Sequence, residues 1–109
     1  MGNRYLAVEN EMFDIATKLY KKYHGYFNVN ANNLLYNNCE KLKVVEYLID
    51  FPELNVNSKN KQDLTSIELL YHSNLNDKIK NKIILTLFKR EELEFDPYEC
   101  IRYFALHNQ

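Results

Sequence analysis

The sequence predicts an all-α fold, in which short helices pair into helix-turn-helix units that stack along one domain spanning residues 1–109. Three observations lead there. Apolar residues recur at spacings of three and four along nearly the whole chain. The helices this implies are only about 7–13 residues long, too short to be stable alone, so each must bury its face on a neighbour. Finally, Tyr26-Phe27-Asn28-Val29-Asn30-Ala31-Asn32 returns 27 residues later as Glu53-Leu54-Asn55-Val56-Asn57-Ser58-Lys59, each copy behind an amphipathic helix.

The elements follow in order. A short first helix is expected over residues 3–8. Met12, Ala16, Leu19 and Tyr23 step by four, three and four, which predicts a helix over about residues 9–22. Phe13, Ile15 and Tyr20 widen its apolar face, and His24 beside Gly25 suits its C-terminus. Leu34, Leu35, Asn38 and Cys39 mark a short helix over 33–41. Val44, Val45, Leu48 and Ile49 mark another, ended by Phe51-Pro52 because proline disfavours helix in the residue before it. Residues 55–63 are polar and aperiodic and read as an extended turn or hairpin. Thr65-Ser66-Ile67-Glu68 is spaced as a capping box opening a helix with Ile67, Leu69 and Leu70. Asn76 or Asp77 caps the next, which carries Ile79, Ile83, Ile84, Leu87 and Phe88. Glu91 to Phe95 is an acidic connector. Asp96-Pro97 then pairs an N-cap with proline at the first helical position, and the last helix bears Cys100, Ile101, Phe104 and Ala105.

Composition removes several classes of function. Gly2 and Gly25 are the only glycines, so a glycine-rich phosphate loop is excluded. Two cysteines make no disulfide framework. Fourteen basic against fifteen acidic side chains leave a net charge of −1, so generic attraction to nucleic acid or anionic lipid is not built in. The longest charge-free apolar run, residues 83–88, is far short of the ~20 residues a membrane span needs. An intracellular, cytoplasmic protein with reduced thiols is the expectation. Asn, Lys, Ile and Tyr supply 42 residues, as an AT-rich genome would favour.

Val44-Val45-Glu46-Tyr47-Leu48-Ile49, then Leu54-Asn55-Val56-Asn57, then the polar stretch 59–63 and Leu64-Thr65-Ser66-Ile67-Glu68-Leu69-Leu70 stand in the register of a known motif. The chain resembles the ankyrin-repeat family over about residues 9–90. That family has a Thr-Pro-Leu-His helix start, a Val-Val-x-x-Leu-Leu second helix, Asp-Val-Asn and a β-hairpin finger. The resemblance implies an α-solenoid of about three stacked units with short hairpin fingers. Ser66 and Glu68 replace the family's Pro and His. Asp63 and Asn74 stand where its turns use glycine, and both residue types tolerate the left-handed backbone. The 27-residue spacing is shorter than the family's ~33, which places a truncated first finger between Asn30 and Leu34. Distortion is expected at Asn32–Asn33, Asp63 and Asn74.

No catalytic or metal constellation appears. His24, His72 and His107 lie far apart, and no H-E-x-x-H or C-x-x-C pairing exists. Ser58, Ser66 and Ser73 lack the G-x-S-x-G context, and Cys39 and Cys100 read as buried, inert thiols. Lys59, Lys61, Lys78, Lys80, Lys82, Lys89 and Arg90 make the middle of the chain locally basic; Lys78 and Lys82 share one helix face, with Lys80 elsewhere, and read as the wet face of an amphipathic helix. No cofactor and no metal are expected. The resemblance implies a non-catalytic module that binds another protein on a concave face of fingers and first helices. Its contact positions carry over to Lys59, Lys61, Gln62 and Leu64 in the finger and to His72 and Ser73 on the first helix. Glu40 and Lys41 hold the equivalent place in the preceding unit, and Tyr36 and Tyr71 are further contacts. Size and composition suit a pathogen or viral effector or inhibitor. A homodimer through an uncapped repeat end is a further expectation. The alternative from another class is a small helical nucleic-acid-binding regulator or enzyme on a non-ankyrin bundle.

Overall fold

A computed structural model of the chain describes residues 3–23 and 28–107. Residues 1–2, 24–27 and 108–109 lie outside the described residues, as do the side chains of Asn3, Arg4, Tyr5, Tyr23, Asn32 and His107. The helix ending at His24–Gly25, the start of the first Asn-Val-Asn copy and the core placement of Tyr23 fall there.

Seven α-helices run through the described residues: α1 Asn3–Glu9, α2 Phe13–Tyr23, α3 Leu34–Asn37, α4 Leu42–Leu48, α5 Ser66–Tyr71, α6 Asp77–Leu87 and α7 Pro97–His107. No strand forms among them; the one extended pairing is an isolated antiparallel bridge between Lys59 and Thr65. The helices pack in sequence-adjacent pairs, α1 on α2, α3 on α4 and α5 on α6. The pairs then join, α4 against α6 and α3 against α5. Phe13 stacks on Tyr47 at 4.6 Å and Tyr20 meets Phe51 edge-on, which ties α2 to α4. Tyr71 of α5 lies against Tyr103 of α7. The molecule is elongated, 45 × 24 × 23 Å.

The core is the continuous set that apolar spacing anticipates. Leu34, Val44, Val45, Leu48, Ile67, Leu70, Ile83, Ile84 and Leu87 are fully buried. At roughly 1.5–3 kcal/mol each, they supply the main favourable term. The capping box forms as spaced: Thr65 Oγ1 accepts from the Glu68 amide while Glu68 Oε1 accepts from the Thr65 amide. Asn76 caps α6 through Lys78 N–H. Asp96 Oδ1 accepts from Tyr98 N–H ahead of α7. Thr65→Ala removes one cap and is expected to cost about 1 kcal/mol, read as a lower urea midpoint with an unchanged m-value.

Several expectations need correction. The predicted helix over 9–22 is broken: Glu11 takes a left-handed backbone (φ 60) and the Asn10 side chain donates to Leu6 O, closing α1 before α2 opens. Met12 and Ile15 are consequently exposed. Over 33–41, the helix is only a 3-10 turn, Ala31–Asn33, followed by α3 and a turn at 38–40. Ile79 and Ile101 are exposed, and their places in the core go to Lys80 and Tyr103. Asn33 and Asp63 do adopt positive φ (53 and 64), but Asn74 does not, because α5 ends earlier, at a cap on His72. The turn over 59–65, closed by the Lys59–Thr65 bridge, is stitched by one residue: Asn60 donates N–H to Leu64 O, and its Oδ1 accepts from the Gln62 and Leu64 amides.

The two Asn-Val-Asn segments perform one construction twice. Val29 and Val56 are buried. Asn28 Oδ1 accepts from Asn30 N–H, and Asn55 Oδ1 accepts from Asn57 N–H. The second asparagine of each segment then reaches the following loop. Asn30 donates to Glu53 O and accepts from Asn55 N–H; Asn57 donates to Glu92 O and accepts from Glu94 N–H. A side-chain amide, with an acceptor and a donor on one plane, satisfies two backbone groups of the neighbouring segment at once.

Candidate functional site

The turns after α3 and α5 run beside each other and enclose a groove of about 640 Å³. Tyr36, Glu40 and Lys41 form one wall, Leu69, His72, Ser73 and Leu75 the other, with buried Cys39 beneath. Glu40, Lys41 and His72 are exposed; Tyr36, Leu69, Ser73 and Leu75 are half-buried. The site therefore offers an apolar floor inside a rim of both charge signs. Burial, with the Glu40 carboxylate beside it, pushes the Cys39 thiol up to about 11. At neutral pH that group is a protonated, unreactive thiol.

The groove's second wall is fixed from below. Ser73 Oγ donates to Leu70 O and accepts from Leu75 N–H. Lys80 is 3% exposed and donates Nζ to Ser73 O at 2.8 Å, with the Tyr103 ring 5.5 Å away. A carbonyl and an aromatic face are the two groups that make a buried ammonium tolerable. The basic middle of the chain is therefore not all solvated: Lys80 is buried and Arg90 half-buried. Arg90 turns its guanidinium onto the carbonyls of Ile49, Phe51, Pro52 and Leu54 and pairs with Glu92 at 2.7 Å. Lys78, Lys82 and Lys89 remain exposed.

The groove brings together five of the ten expected contact residues: Tyr36, Glu40, Lys41, His72 and Ser73. Lys61 and Gln62 are exposed on the turn at 61–63, with Leu64 half-buried behind them. Lys59 and Tyr71 line a different cleft, about 260 Å³, with Glu68, Glu94, Phe95 and Asp96. Tyr71 is half-buried, and its hydroxyl points inward rather than outward as expected. It packs on Tyr103 at 5.1 Å, and its hydroxyl is buried with no partner at hydrogen-bonding distance. Burial, then the neighbouring Cys100 thiol and Glu99 carboxylate, hold its ionisation far above the ordinary phenol range. Lys59 pairs with Asp63 at 3.5 Å, an exposed pair that contributes little. Sequence reasoning missed Leu75 and used Leu69 only as core. The one signal for Leu75 was an isolated apolar residue between Asn74 and Asn76.

Neither a protein-family model, a curated protein nor a solved structure matches this chain. Among the described residues no group of three His, Cys, Asp or Glu side chains is placed to hold a metal ion, and no helix is long and apolar enough to cross a membrane.

Proposed function

We propose that this chain is a non-catalytic protein-binding module, built as a short α-solenoid of ankyrin-like units, that takes its partner in the groove between α3 and α5. The observation that carries the reading is the groove itself. It joins five contact positions from two successive units, and its wall is held by the Ser73–Lys80 bonds. A rim fixed before binding loses less side-chain entropy on contact. The stacked-unit part is supported by the twice-used asparagine bridge and by the pairwise order of helix contacts. Such a module blocks or scaffolds its partner.

Capture from source lysate tests this, with the wild type beside a Glu40→Lys/His72→Asp groove variant and a Lys61→Glu finger variant. The groove variant is expected to lose about thirtyfold or more in recovery of the wild-type partner, the scale of a central contact. Equal recovery by wild type and groove variant would move the site elsewhere. Recovery of nucleic acid with a steep salt dependence would replace the reading with nucleic-acid binding.

A further inference from the structure

Between α2 and the end of α4 lies a hollow of about 300 Å³ that shares no residue with the groove. Thr17, Tyr20 and Lys21 stand three and four residues apart, so α2 turns them to it together. Tyr47 of α4 and the turn residues Asp50, Phe51 and Pro52 close it from the other side. Its walls are aromatic. The Tyr20 ring stands at 90° to Phe51 with centroids 5.1 Å apart, and the Tyr47 ring at 68° and 5.4 Å. Two rings set steeply against a third form a corner. The corner is also held in place. Phe13 stacks on Tyr47, and the Thr17 and Tyr47 hydroxyls share a hydrogen bond at 2.9 Å. The Tyr20 hydroxyl donates to Glu53, and Arg90 grips the carbonyls of Phe51 and Pro52. Little is lost in ordering such a site on binding.

We propose that this corner binds a methylated ammonium group, the trimethylammonium of a modified lysine side chain or of a choline head group. Aromatic rings attract a cation through their negative faces. Charge agrees with that sign. Asp50 lines the hollow and Glu53 bonds the Tyr20 hydroxyl, two exposed carboxylates where Lys21 is the only cation in the lining. Methylation follows from hydrogen bonding. The Thr17 and Tyr47 hydroxyls are committed to each other and the Tyr20 hydroxyl to Glu53, which leaves Asp50 as the one carboxylate among the described lining residues. A bare ammonium would bring three N–H donors away from water into a wall of rings. A quaternary ammonium brings none, so it gives up less on entry. The volume lies at the small end of ligand pockets, which suits a head group and not a larger molecule.

Proton NMR titration tests it with three probes: choline, its uncharged isostere in which a tert-butyl group replaces the trimethylammonium, and ethanolamine, its unmethylated parent. Choline should bind saturably, with its methyl protons moved upfield as protons over ring faces are. It should bind about tenfold more tightly than either of the other two. Asp50→Asn should weaken choline several-fold and Lys21→Met should strengthen it; both residues are exposed, so each variant should keep the wild-type circular dichroism. A peptide carrying one trimethyl-lysine and a phosphatidylcholine vesicle separate the two sources, the tighter of them naming the natural one. Equal affinity for choline and the isostere overturns the proposal, because the hollow would then be merely apolar. So does ethanolamine binding as tightly as choline, or the absence of saturable binding by choline, peptide and vesicle alike. None of these titrations needs the partner of the groove, so the two readings fail separately.

Discussion

Arg90→Ala is expected to destabilise the protein by about 3 kcal/mol, since it removes a charged donor from four backbone carbonyls at once. For a domain of this size that is a fall of roughly 10–20 °C in Tm. The carbonyls belong to the turn that ends α4, residues 49–54, where Pro52 interrupts the backbone's own bonding and no helix continues. Arg90, three residues past the end of α6, supplies the missing donors in a planar fork. Arg90→Lys should recover less than half the loss, because an ammonium is a point donor that cannot span four acceptors. Thermal and urea denaturation of the two variants, followed by circular dichroism, measure both figures. A loss under about 1 kcal/mol for alanine would mean water replaces the guanidinium at little cost.

The same clamp carries a pH signature. Hydrogen bonds from Arg90, then its charge, hold the Glu92 carboxyl below the usual carboxylate range. A carboxyl lowered in the folded state contributes stability above its unfolded pKa of about 4.3, and that contribution is lost as pH falls through the lower folded value. The acid limb of the stability profile should therefore be shallower in Arg90→Ala than in the wild type.

Asn57→Ala should cost about 2 kcal/mol, by leaving Glu92 O and Glu94 N–H without their shared partner. Asn57→Asp keeps the acceptor for Glu94 N–H but turns the donor for Glu92 O into a second acceptor. It should recover none of the loss at neutral pH and part of it below about pH 4, where the new carboxyl is protonated. Asn30→Ala, at an exposed asparagine where Asn57 is half-buried, should cost about 1 kcal/mol. Urea midpoints of the three variants check the order. If Asn30→Ala cost more than Asn57→Ala, burial would not be what sets the strength of these bridges.

Much of the helical layout was legible in the sequence, and particular residues show why. Thr65 and Glu68 stand three apart because one helical turn brings their side chains to each other's amides, and that geometry needs nothing beyond the local chain. Asp96-Pro97 opens α7 for the same reason. Asp63 and Asn33 took the left-handed backbone where glycine was absent. The groove was half legible: His72 and Glu40 were singled out, but as separate contact positions. Nothing in their spacing states that the two turns run side by side.

Local interactions, a few residues long, thus determined where helices start and stop, and the sequence by itself carries them. Which side of each helix is interior was decided only by the tertiary packing. Ile79 and Lys80 are neighbours on α6, and hydropathy alone buries the isoleucine. The structure buries the lysine instead, because Ser73 O and the Tyr103 ring lie on that side. Arg90 and Tyr71 were turned inward by partners 36–41 residues away and by a helix not yet reached in the chain. A buried charge is placed by its partners, and a buried ring by the ring it packs on; where those lie far off in sequence, the fold supplies them.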